Sequence, residues 1–316
     1  MAKTFIAKDK SKTIKFLSES VYGYMPSRPE HLRGALVAED SDFCGGEALI
    51  QSIDLILTLE GEEVKLPIKL TMPSGDGKFP TFIHINYRAD VPDKFLPAEE
   101  IAERGFAVFS LCYKDICGEE RGFDSGIARK IVKMRKRKDS PGKIALWSWG
   151  ILRVIDFALN QPFVDGENIA VIGHGILAKS VMLAGGIDER IKYVILNNST
   201  FGNTDLLLKS PELYCPRFQD IDEIGHDEMT LSLCAGKYIM IGSGAYDCFT
   251  DRKAELNAIR SIAGDFGILP CDALPEDKAI LSRGKIMHLT QERKAFLGRR
   301  EWNAYMDFID SVMGKK

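Results

Sequence analysis

Residues Asn168 to Lys179 read Asn-Ile-Ala-Val-Ile-Gly-His-Gly-Ile-Leu-Ala-Lys, the layout of a buried strand, a small residue, a tight turn and a helix. A nucleophile elbow of the form G-x-S-x-G has this layout. Its strained turn lifts a serine oxygen above the sheet, and the backbone N–H of the next residue helps to form an oxyanion hole. Here Gly175 stands at the central position, and the last small residue is Ala178, one step late. Glycine tolerates such a turn because it has no Cβ to clash, but it has no oxygen with which to attack. From these residues alone, a plain strand-to-helix turn is an equally good reading.

Other nucleophiles are poorly placed. Ser180 falls in the helix after the turn and should point away from the strand ends. Ser243 lies near Asp247 without an identifiable base. Cys248 is next to Asp247, whose carboxylate disfavours a thiolate. A metal site could be drawn from His174, Asp247, His288 and the pair His226-Asp227, yet no two show H-x-x-x-H or H-E-x-x-H spacing, and neither a metal nor a cofactor is expected. The seven cysteines form no C-x-x-C pair and read as reduced thiols, mostly in the core.

The elements that must position these residues follow from hydrophobic patterning. Ser52 to Leu59 and Val64 to Leu70, joined across Glu60-Gly61-Glu62-Glu63, predict an antiparallel hairpin. Six short apolar runs then predict buried parallel strands, because strands covered on both faces are continuous rather than alternating in polarity. They are Phe82–Asn86, Ala107–Leu111, Ile169–Ile172, Tyr193–Leu196, Tyr238–Ile241 and Ile286-Met287. Helices are expected at Lys12–Tyr22, Ala98–Arg104, Ile144–Leu159, Ala178–Gly185, Arg252–Ile262 and Arg300–Val312. The rhythm predicts an α/β fold, a doubly wound and mostly parallel sheet with an N-terminal antiparallel hairpin. Ligands of such sheets sit at the carboxyl ends of the strands. One domain over residues 1–316 is expected, with residues 1–50 a helical or irregular extension packed on it.

Bulk properties exclude several functions. With 316 residues, 45% apolar, 28% charged and a formal charge of -3, the chain has an ordinary globular composition and no nucleic-acid signature. The basic run Lys133 to Lys138 has no interleaved aromatics and reads as a solvated helix face. The first fifteen residues lack the apolar stretch of a secretory signal, and nothing reaches the ~18 apolar residues needed to span a bilayer. A cytoplasmic protein without membrane or nucleic-acid partners is expected.

Lys143 to Gly150, which reads Lys-Ile-Ala-Leu-Trp-Ser-Trp-Gly, is followed by Arg153, Asp156 and the turn at Gly175. Together these resemble the bacterial acetyl xylan and glucuronoyl esterases of the α/β-hydrolase superfamily, where a W-x-W-G helix precedes G-H-S-R-x-G-K. Val21-Tyr22-Gly23, Phe82 to Tyr87, Tyr113 to Ile116 with Gly122-Phe123, Asp188-Glu189-Arg190 and Asn197-Asn198-Ser199 extend the resemblance over nearly the whole chain. It implies an α/β-hydrolase fold with a serine, an acid and a histidine in the catalytic positions. The serine falls on Gly175, the acid on Asp247 and the histidine on Ala295. An oxyanion-stabilising arginine falls on Ile176, whereas His174 and Lys179 match. His288 matches another family histidine at a strand end. Asn86, His174, Ile176, Lys179 and His288 are therefore the oxyanion and cleft candidates.

The family chemistry is serine attack on an acetyl or glucuronoyl ester, an acyl-enzyme, and release by water. With two of three triad positions replaced, this chain should be an esterase-like hydrolase of impaired activity. The alternatives are a non-catalytic protein that binds a carbohydrate or acyl ligand, and an active esterase into which both substitutions were introduced. Each implies a small-molecule or oligosaccharide ester as the partner. The tryptophans of the W-x-W-G helix are expected in the core.

Overall fold

The computed structural model describes residues 9–131, 137–202, 209–220, 225–247, 250–262, 280–283 and 285–315. Most of the basic run, residues 133–136, and Cys248 lie outside the described residues.

The predicted hairpin forms from β2 (Ala48–Leu59) and β3 (Glu62–Pro73), with Leu59 opposite Glu62 and Ile53 opposite Ile68. Glu60 and Gly61 between them have φ of 50° and 76°. Positive φ at both central positions marks a type I′ turn, whose twist matches that of the strands it joins.

The N-terminal region departs from expectation. Helix α1 (Lys10–Ser20) starts two residues early because Asp9 caps it, accepting from the Lys12 N–H at 3.1 Å. Residues 31–40, expected to be helical or irregular, form strand β1 (His31–Asp40), antiparallel to β2. β1 is an edge strand with little buried surface, so its sequence shows no alternation between a core and a solvent face.

All six apolar runs are strands: β4 (Phe79–Asn86), β5 (Ala107–Cys112), β6 (Val164–His174), β7 (Tyr193–Asn197), β8 (Tyr238–Gly244) and β10 (Ile286–Gln291). The short strand β9 (Ile280–Arg283) pairs antiparallel to β10 at the far edge. Among the described residues, ten strands form one sheet in the order β1-β2-β3-β5-β4-β6-β7-β8-β10-β9, parallel from β5 to β10.

Successive residues of the parallel strands enter opposite cores. Ile83, Phe109, Val171, Val194 and Ile239 meet helices α5 (Lys143–Ala158) and α6 (Leu177–Ile187) on one face. Phe82, Val108, Ile172, Ile195 and Met240 face α2 (Ala98–Glu103) and α9 (Arg299–Met313) on the other. This double coverage explains the unbroken apolar runs. Trp147 and Trp149 are buried in α5 as expected, and their indole N–H groups donate to Cys117 O and Ser27 O. The described residues also form helices α3 (Tyr113–Ile116), α4 (Ala128–Ile131), α7 (His226–Ser232) and α8 (Arg252–Ile262). Among the described residues, no helix is long and apolar enough to cross a membrane.

Candidate functional site

β6 ends at His174, and Ile176 enters α6 with φ −62° and ψ −28°. Gly175 joins the two at φ +61°, the left-handed region that only glycine occupies without strain. Its N–H donates to Asn197 O at 2.9 Å, which ties the turn to the end of β7, and its own carbonyl accepts from Ala178 N. The strand-turn-helix element read from the sequence is therefore present.

His174, half-buried beside this turn, has Nδ1 at 2.6 Å from Asn197 Oδ1. The Asn197 amide donates onward to the Tyr305 hydroxyl at 2.8 Å, so Oδ1 is the acceptor and Nδ1 carries the hydrogen. Burial lowers the His174 pKa below its ordinary value, against the opposing pull of Asn197 and the Asp247 charge. The imidazole is thus neutral near pH 7, with Nε2 as an acceptor. The Phe95 ring stacks on it at 5.7 Å.

Asp247 follows β8 and accepts from Asn198 Nδ2 at 3.2 Å. Its loop is joined to the segment carrying Ala295: Ala245 N–H donates to Gln291 O, and Tyr246 N–H donates to Arg293 O. The three positions assigned to nucleophile, acid and base hence lie beyond the carboxyl ends of β6, β8 and β10, within one stretch of the sheet.

Three of the cleft candidates are buried. Asn86 is only 1% exposed; its Oδ1 accepts from Tyr87 N and its amide reaches Asp93 Oδ1, so it shapes the loop after β4. Lys179 is 2% exposed and spends its ammonium on Asp227 Oδ1 at 2.5 Å, against the Phe201 ring. His288 is 3% exposed inside β10, with Nε2 at 2.9 Å from Glu255 Oε1. In each case the polar head makes a bond inside the protein, although His288 Nδ1 is left without one. Ile176 remains beside the turn, packed partly on the core.

Ser243, considered as a substitute nucleophile, is also buried and donates to Glu255. Ser180 is fully buried and bonds to Leu177 O. Asn197, Glu255 and Tyr87 escaped the sequence reading as site residues. Asn197 and Tyr87 stood inside stretches recognised only as pattern, and nothing local distinguishes Glu255 from a surface acid. Among the described residues, no three His, Cys, Asp or Glu side chains gather as a metal-holding group. Cys44, Cys112 and Cys234 are free thiols, and all but Cys44 are buried.

A family model described as "Glucuronyl esterase, fungi" matches residues 56–209. A protein named "Carbohydrate esterase MZ0003", from an unknown prokaryotic organism, is 26% identical over 240 residues, covering 68% of this chain and 55% of that protein. The chain thus spans about half the length of this curated relative. Among solved structures, a glucuronoyl esterase from Solibacter usitatus superposes with a TM-score of 0.86 at 17% identity, covering 96% of this chain and 92% of its own. A glucuronoyl esterase mutant from Sporotrichum thermophile, solved with methyl 4-O-methyl-beta-D-glucopyranuronate, superposes at 0.63 with 14% identity, covering 95% and 89%. The chain has the α/β-hydrolase fold and is similar in sequence to the glucuronoyl esterases.

Proposed function

We propose that this chain is a carbohydrate-esterase-like α/β hydrolase of the glucuronoyl class in which ester hydrolysis is crippled at Gly175 and Ala295. The observation that carries this reading is the left-handed glycine at the tip of the elbow, which offers no oxygen to an acyl carbon. In a serine hydrolase, loss of the serine or the histidine alone costs about 10⁶ in turnover, and the losses do not add.

A second reading, recognition of a uronate or acylated sugar without turnover, is favoured by the polar and aromatic wall that survives. His174 stays ordered by Asn197 and Tyr305 and is faced by Phe95. The ligand bound by the Sporotrichum thermophile relative supplies the chemical class to try first. A cytoplasmic location is part of the same proposal and is supported by the free thiols.

Intact-mass analysis after exposure to a fluorophosphonate, which marks activated serines wherever they lie, tests the main reading. No adduct is expected. A stoichiometric adduct would reveal a working nucleophile and overturn it. Calorimetric titration with methyl glucuronate then separates the two readings: saturable binding supports the recognition protein, and its absence leaves an inactivated esterase.

A further inference from the structure

The space above Gly175 is already taken. A Cβ placed on residue 175 would stand 2.7 Å from the Tyr87 hydroxyl oxygen, closer than real Cβ contacts come. Tyr87 immediately follows β4, the strand beside β6, so the sheet itself delivers the phenol to the elbow. The hydroxyl donates to His174 O at 3.0 Å, one residue before the glycine. The ring meets His174 and Tyr113 edge-on, at 6.2 and 5.5 Å, and leans on Phe95 at 6.0 Å. With aromatic neighbours on three sides and a hydrogen bond at its tip, the side chain has little room to swing away.

We propose that Tyr87 and Gly175 are a matched pair, in which the tyrosine hydroxyl occupies the place a nucleophile side chain at residue 175 would need. The volume beside Gly175 is filled from β4. Burial raises the Tyr87 phenol above its ordinary pKa, the Glu119 charge acts in the same direction, and the backbone N–H groups of Ile176 and Leu177 act against them. The N–H after the nucleophile position is the donor that serves an oxyanion in an elbow.

The activity consequence rests on reading Gly175 as the nucleophile position; the packing consequence does not. Two measurements keep them apart. In the first, Gly175→Ala is made in the wild type and in a Tyr87→Phe background, and thermal unfolding is compared. The strain of a Cβ at positive φ is common to both backgrounds and cancels. The expected drop is about 5 °C in the wild type and about half that in the Tyr87→Phe background. Equal drops would overturn the pairing.

In the second, fluorophosphonate labelling is timed for Gly175→Ser/Ala295→His with and without Tyr87→Phe. Labelling about tenfold faster with Tyr87→Phe is expected. Equal labelling rates would overturn the steric block. Coupling in the unfolding cycle with no labelling of either variant supports the pair and places the failure in the reading of residue 175 as the nucleophile position.

Discussion

Lys179 and Asp227 meet at 2.5 Å with almost no exposure, on helices α6 and α7. Burial alone would raise the Asp227 pKa, but Lys179, His226 and the Gly202 N–H overcome it and hold the carboxyl below its ordinary value. A depressed acid contributes stability that is present above the unfolded-state pKa and is lost as pH falls through the folded-state value. Lys179→Met leaves this acid buried with its main counter-charge gone. Urea unfolding at pH 7 should show a loss of about 3–5 kcal/mol. That loss should shrink as pH falls below about 4, because a protonated Asp227 no longer needs a cation. A loss independent of pH would mean that Lys179 acts through packing of its methylenes. The same pairing holds the Lys179 ammonium inside the protein.

The β2–β3 hairpin shows how an element can keep a locally poor residue. Its turn needs positive φ at two positions; Gly61 adopts that conformation freely, but Glu60 at 50° does not. Asn-Gly is the favoured pair for this turn, since asparagine tolerates the left-handed region better than glutamate. Glu60→Asn should therefore stabilise the protein by about 0.5–1 kcal/mol, read as a higher urea midpoint at unchanged slope. A lower midpoint would show that Glu60 makes a contribution outside the turn geometry. The hairpin was legible in the sequence because both strands and the turn are contiguous. Its neighbour β1 was not, since its partner residues begin at Ile50, ten residues after it ends.

Across the whole molecule, the sheet divides two cores, and Trp302 of α9 links one of them to the candidate site. Its ring stands edge-on to Phe82 at 5.1 Å and to His84 at 5.5 Å, while its indole N–H donates to Phe95 O at 2.7 Å. Phe95 in turn stacks on His174. Trp302→Ala should cost about 3–5 kcal/mol in denaturant unfolding, the usual range for a large buried aromatic. It should also shift the His174 ring resonances, because the Phe95 backbone loses its anchor. A destabilised variant with unchanged His174 signals would show that the core and the cleft wall are independent.

The sequence by itself determined the parallel strands, the helices between them, the hairpin and the glycine turn, because each is written in the polarity or conformational demands of adjacent residues. Its resemblance to the glucuronoyl esterases suggested Gly175, Asp247 and Ala295 as the nucleophile, acid and base positions. The tertiary structure decided which strands are neighbours, and with that which buried polar groups find partners. That Asn86, Lys179 and His288 turn inward, that Glu255 serves Ser243 and His288, and that Tyr87 fills the space above Gly175 all depend on crossovers between elements distant in sequence. Side-chain polarity tells that a buried group must be paired; only the packing of sheet and helices tells with what.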